Sequence, residues 1–95
     1  MISPRPNFPC FRDDDWAAIR EELGLSAREL ELVKHIFEGK KLLSAARAMG
    51  LSHGTVKTYI QRIHRKLCVA DQRELVLSVF AAHQRAIEPV QSPDL

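Results

Sequence analysis

Ninety-five residues with a hydrophobic fraction of 45% describe one small globular domain, with disorder expected only at the ends. That size leaves little room for a catalytic cleft between lobes, and no apolar run approaches the roughly 20 residues of a membrane-spanning helix. The net charge of +2 conceals a sorting along the chain: residues 1–31 carry four basic and seven acidic groups, residues 32–85 ten and three, and residues 86–95 two acids. Such asymmetry suits a domain that meets a polyanion on one side, and equally one with a solvated basic surface. Met1–Pro6 lacks the apolar core of a secretory signal, so a cytoplasmic location is expected. In that reducing compartment Cys10 and Cys68 are expected to stay unbridged. No pair of His and Cys has the spacing of a zinc site, so neither metal nor cofactor is expected.

Pro4, Pro6 and Pro9 block helix formation near the start, and residues 1–14 read as an extended arm. Asp13, Asp14 and Asp15 then favour a helix N-terminus by capping and by the helix dipole. Trp16, Ile19 and Leu23 share one face before the stop at Gly24, which predicts a short accessory helix at residues 15–23. Its Trp reads as a core-docking residue. Ser26-Ala27-Arg28-Glu29 is a capping box, with Leu25 and Leu30 as its hydrophobic staple. The helix it opens should run to about Glu38, with Leu30, Val33 and Phe37 inward and Gly39 ending it. A shorter helix is expected at residues 42–49, burying Leu42, Ala45, Ala46 and Met49 and stopping at Gly50.

Ser52 is the next N-cap, with Leu51 and Val56 as staple. In the helix that follows, Val56, Ile60, Ile63 and Leu67 recur at the period of one buried face. Lys57, Thr58, Gln61, Arg62, Arg65 and Lys66 fall on the remaining faces, and no acid occurs between Glu38 and Asp71. Asp71-Gln72-Arg73-Glu74 is a further capping box, before an inward row of Leu75, Val76, Val79 and Phe80. Residues 86–95, with Pro89 and Pro93, read as a loose tail. Strand alternation and internal repeats are absent from the sequence, and the fold class is all-α.

Two helices joined by Gly50-Leu51-Ser52 form a helix-turn-helix, whose second helix enters the DNA major groove by its N-terminal part. The chemistry suits that use. Gly54 allows close backbone approach, and the Ser52 and Thr55 hydroxyls with the free N–H groups of the helix start can hold a phosphate. Lys57 can donate to guanine, Gln61 can pair with adenine, and the Thr58 methyl can touch a thymine methyl. Arg62, Arg65 and Lys66 are placed to grip phosphates. For each, the alternative is a solvated helical surface residue. That alternative is strongest for Arg65 and Lys66 and weaker for Lys57, Thr58 and Gln61, which cluster at one end.

Several separated motifs together resemble the DNA-binding domain of LuxR-type (GerE-type) bacterial transcription regulators. They are Leu25-Ser26-Ala27-Arg28-Glu29-Leu30-Glu31-Leu32-Val33, Glu38-Gly39, Ala46, Gly50-Leu51-Ser52, Thr55-Val56-Lys57-Thr58-Tyr59-Ile60, Arg65-Lys66-Leu67, Val69 and Glu74-Leu75-Val76. The resemblance covers residues 23–83 and implies a four-helix helix-turn-helix bundle at residues 25–85, preceded here by the accessory helix of residues 15–24. By position it puts Lys57, Thr58 and Gln61 on bases and Ser52, Thr55 and Arg65 near the DNA backbone. It also implies that the last helix pairs two copies, which makes a homodimer the expected state. Leu77, Ala81 and Gln84 form a second stripe there; a single wide core face is the other reading of that stripe.

The chain also departs from the family pattern. Lys41-Leu42-Leu43 stands where polar residues usually start a helix, which loses an N-cap and exposes Leu43. Cys68 stands where a Gly usually stops the recognition helix; a left-handed backbone there would cost about 1 kcal/mol relative to Gly. The 22 residues before the match are too few for a sensor domain, which leaves two readings open, a piece of a longer regulator and a stand-alone one, the second being the expectation. The expected function is sequence-specific binding of double-stranded DNA, with RNA polymerase as a candidate second partner and no membrane. Two alternatives stay open: a polymerase-associated promoter reader like the promoter-reading end of a sigma factor, and an interaction module that heterodimerises with another regulator. The four His residues are scattered without a nucleophile-base-acid set, so no enzyme is expected.

Overall fold

Short polar side chains decide where the helices start, and the computed structural model, which describes residues 11–87, shows the bonds that do so. Five helices follow one another: α1 (Asp13–Leu23), α2 (Ala27–Phe37), α3 (Leu42–Met49), α4 (His53–Leu67) and α5 (Gln72–Ile87). No strand occurs among the described residues, in keeping with the all-α expectation. The expected arm and tail lie largely outside the described residues. Within them, helix extends two residues further than expected at each end. At the start, Asp15 Oδ2 accepts the N–H of Arg12 at 2.9 Å, so the cap closes around Arg12 and all three acids join the first turn. That backbone hydrogen bond also holds the Asp15 carboxyl below its ordinary pKa. At the other end the first breaker in the sequence is Pro89, so α5 runs on through Ile87.

The box at Ser26 forms as expected: Ser26 Oγ accepts the N–H of Glu29 at 3.1 Å, and Glu29 Oε1 accepts the N–H of Ser26 at 2.8 Å. The box at Asp71 is shifted. Asp71 Oδ1 accepts the N–H of Glu74 at 2.9 Å, but Glu74 Oε1 reaches back to Ala70. α3 starts at Lys41 without a side-chain cap, as the missing polar residue predicts.

All five helices contribute to one core. α1 gives Trp16 and Ile19, α2 Leu32, Val33 and Ile36, α3 Ala45, Ala46 and Met49, α4 Val56 and Ile63, and α5 Leu75, Val79 and Ala82. Two rows differ from expectation. On α2 the buried row is Leu32, Val33 and Ile36, while Leu30 and Phe37 are half-buried at its edge. On α5 the row turns toward Ala82, leaving Val76 half-buried and Phe80 exposed.

The cause is α1, which makes the most extensive helix pair of the fold with α5. The small Ala82 lets the two approach, and Trp16 docks in the core as read from sequence. Glu22 and Arg85 form an ion pair at 2.8 Å, and His83 Nε2 lies 3.3 Å from Asp15 Oδ1. The Phe11 ring sits 5.2 Å from Trp16, 5.4 Å from Phe37 and 4.5 Å from His83. The accessory helix is thus a load-sharing wall of the core rather than an appendage.

Candidate nucleic-acid interface

Gly50 turns the chain between α3 and α4. Its φ of 70° lies in the left-handed region that glycine adopts without a steric penalty. Its N–H donates to the Arg47 carbonyl at 3.2 Å, and the Leu51 N–H to the Ala46 carbonyl at 2.9 Å. From α2, the Arg28 guanidinium donates to the Met49 carbonyl at 3.1 Å and pairs with Glu31 at 2.8 Å. Ser52 then opens α4 by accepting the N–H of Thr55 at 3.1 Å. The Ser52 hydroxyl itself donates to Thr55 Oγ1 at 2.9 Å, which leaves the Thr55 proton free for an outside acceptor.

α4 packs on α2 and α3 through Val56 and Ile63, with Ile60 and Leu67 half-buried beside them. At about 100° per residue, the side opposite holds Lys57, Gln61, Gly54, Arg65 and Thr58 within an arc of about 100°. All five are exposed. Arg62 and Thr55 flank them, also exposed, and Arg62 lies 5.6 Å from the Tyr59 ring. Thr58 Oγ1 donates to the Gly54 carbonyl at 3.2 Å. Residues 39–70 hold seven cationic side chains and no acid. Lys57, Arg62 and Arg65 make no ion pair among the described residues.

Lys66 stands apart from the other expected phosphate ligands. Its ammonium donates to Glu29 Oε1 at 2.8 Å and to the Gly24 carbonyl at 3.1 Å. The reason is the burial of Glu29, whose carboxylate needs a cation. Burial pushes the Glu29 carboxyl up, but hydrogen bonds from Lys66 and Ser26 and the Lys66 charge outweigh it and hold the pKa below the ordinary value. Sequence reasoning missed this partner and the Arg28 bond to Met49. A signal for the first existed: Glu29 lies one turn before Val33 and Leu32, on the side that enters the core.

On α5, Leu77, Ala81 and Gln84 are exposed, so the stripe lies outside the core. Leu77 is 60% exposed, and Phe80 at 41% and Ile87 at 53% adjoin it. Among the described residues no cluster of three His, Cys, Asp or Glu could hold a metal ion. No described helix is long and apolar enough to cross a membrane.

A basic, acid-free helix set behind a tight turn on a small all-α core defines the helix-turn-helix class. The family model for GerE, bacterial regulatory proteins of the luxR family, matches residues 23–79. That is more than half of the chain, and the chain belongs to this family of DNA-binding regulators. No curated protein and no solved structure matches it. The family match begins at the last residue of α1 and ends within α5.

Proposed function

We propose that the protein is a sequence-specific transcription regulator that reads the major groove of double-stranded DNA with α4. The observation that carries this reading is the exposed arc of Lys57, Gln61, Arg65 and Thr58 around Gly54, on an element without acids. Lys57 and Gln61 offer donors to base edges, and Thr58, whose hydroxyl is turned onto Gly54, keeps its methyl for a thymine. Thr55, with its free proton, and Arg62 and Arg65 grip phosphates, and Ser52 holds the helix start that faces them. Two copies pair through the outer face of α5, where the exposed Leu77, Ala81 and Gln84 follow one another at steps of four and three, the spacing of a helix-pairing seam. Recognition helices one DNA turn apart then select an inverted repeat with about 10 bp between half-site centres.

The test is selection from a random duplex library at near-physiological salt, with sequencing of the bound pool. A two-fold symmetric motif is the expected outcome. Gln61→Ala then relaxes the preference at one position by about 1–3 kcal/mol, as does Lys57→Ala at another. An unchanged preference in Gln61→Ala overturns the groove assignment. One observation favours a second reading: Leu43 on α3 is an apolar side chain left 50% exposed, which suits a partner protein. Absence of any enriched motif from folded protein would favour that reading.

A further inference from the structure

Lys66 joins three elements through one ammonium. Its bonds to Glu29 Oε1 and the Gly24 carbonyl tie the last turn of α4 to the first turn of α2 and to the end of α1. The Glu29 side chain is 4% exposed and that of Lys66 37%. The same carboxylate oxygen also takes the Ser26 N–H, and nearby Arg20 Nε donates to the Leu25 carbonyl at 3.1 Å. A carboxylate buried this far is costly without its cation, so the ammonium is held in place rather than offered to solvent. Arg62 and Arg65, on the same helix, carry no such obligation among the described residues.

We propose that Lys66 is a positioning residue of the recognition helix, which sets the angle at which Lys57, Thr58 and Gln61 enter the groove and grips no phosphate itself. The proposal rests on the reading that α4 is the element in the groove. α4 has 15 residues and is about 22 Å long at 1.5 Å per residue. Lys66 lies at one end, with Gln61 about 8 Å, Thr58 about 12 Å and Lys57 about 14 Å along the axis before it. A tilt of about 10° at the anchored end moves Thr58 and Lys57 by about 2 Å and Gln61 by about 1 Å over those lengths. Hydrogen bonds to base edges require donor–acceptor distances of about 2.7–3.2 Å, so a shift of that size breaks them. Phosphate contacts made by long, exposed arginines follow such a shift more easily.

The experiment measures binding of the full chain to its selected duplex and to an unrelated duplex across a salt series. The variants are Lys66→Met, Glu29→Gln, the two combined, and Arg65→Ala, each with its thermal unfolding recorded. Lys66→Met and Glu29→Gln are each expected to narrow the preference for the selected duplex about tenfold. The combined variant is expected to be no worse than either, because one interaction is lost in all three. On the unrelated duplex, the slope of log affinity against log salt stays at the wild-type value. Arg65→Ala instead reduces that slope by about 0.9 and leaves the preference intact. Mere destabilisation lowers the folded fraction for both duplexes alike and does not move their ratio. Should Glu29→Gln fail to fold, Lys66→Gln, which keeps a donor for the carboxylate, is expected to retain part of the preference. A slope reduced by about 0.9 in Lys66→Met, or an unchanged preference in the pair variants, overturns the proposal. A wild-type chain that binds no duplex overturns the reading of α4 itself.

Discussion

Cys68 ends α4 with φ 57° and ψ 44°, the left-handed conformation anticipated from a Cys where a Gly usually stands. Its N–H donates to the Arg65 carbonyl at 3.2 Å and the Val69 N–H to the His64 carbonyl at 3.0 Å, so hydrogen bonds hold the residue there against its own side chain. Cys68→Gly is expected to raise stability by about 0.5–1 kcal/mol, the relief of strain being partly offset by the greater freedom of Gly in the unfolded chain. A urea midpoint that rises in Cys68→Gly and stays put in Cys68→Ala, with an unchanged slope, is the result that agrees. Glu29 supports a second expectation at this scale. Its folded pKa is depressed, so its stabilising contribution is fully present above the unfolded value, near about pH 4.3, and is lost as pH falls through the folded value. The stability gap between wild type and Lys66→Met should therefore narrow below about pH 4 in urea titrations at several pH values. A gap that stays constant down to pH 3 would contradict the pairing.

At the level of helices, the local chemistry was readable and the neighbours were not. Ser26 and Glu29, or Ser52 and Thr55, lie within four residues of each other, so their capping bonds follow from the chain alone. The inward row on α5 does not, because Val76 and Phe80 give way to Ala82 on the side where α5 packs against α1, a neighbour distant in sequence. Trp16 was legible as a core residue, whereas the size of its role was not, since α1 lies almost wholly outside the motif-bearing stretch. The Lys66 ion pair was not legible for the same reason: its partner is 37 residues away. Gly54, in contrast, faces open space. A Cβ there would meet only Ser52 Oγ at 4.0 Å, so the fold does not require a glycine. Gly54→Ala should stabilise α4 by up to about 1 kcal/mol. The same change should weaken binding to the selected duplex, because the added methyl stands in the middle of the groove-facing arc. Stability and affinity that rise together would show that the backbone makes no close approach at this position.

For the whole molecule, the proposed pairing through the exposed face of α5 makes the oligomeric state the quantity to measure. Leu77 is 60% exposed, so its replacement should change the stability of one copy by no more than about 0.5 kcal/mol. Leu77→Glu places like charges opposite one another in a two-fold pair and should give monomers in sedimentation equilibrium. Such a variant should bind one half-site as wild type does and lose the preference for the inverted repeat. Dimers that persist in Leu77→Glu would move the pairing surface elsewhere.

The separation of charge also bears on how the molecule finds its target. α1 holds five acids against one Arg, whereas residues 39–70 have cations alone. Near a polyanion such a body feels a torque as well as an attraction, and it turns during diffusion before any contact is made. On the proposed reading, collisions are then weighted toward arrivals with α4 leading, and the fraction of encounters that end in the groove exceeds what random tumbling provides. Raising the salt shortens the range of this turning to a few ångströms and slows capture even at sites whose final contacts are unchanged.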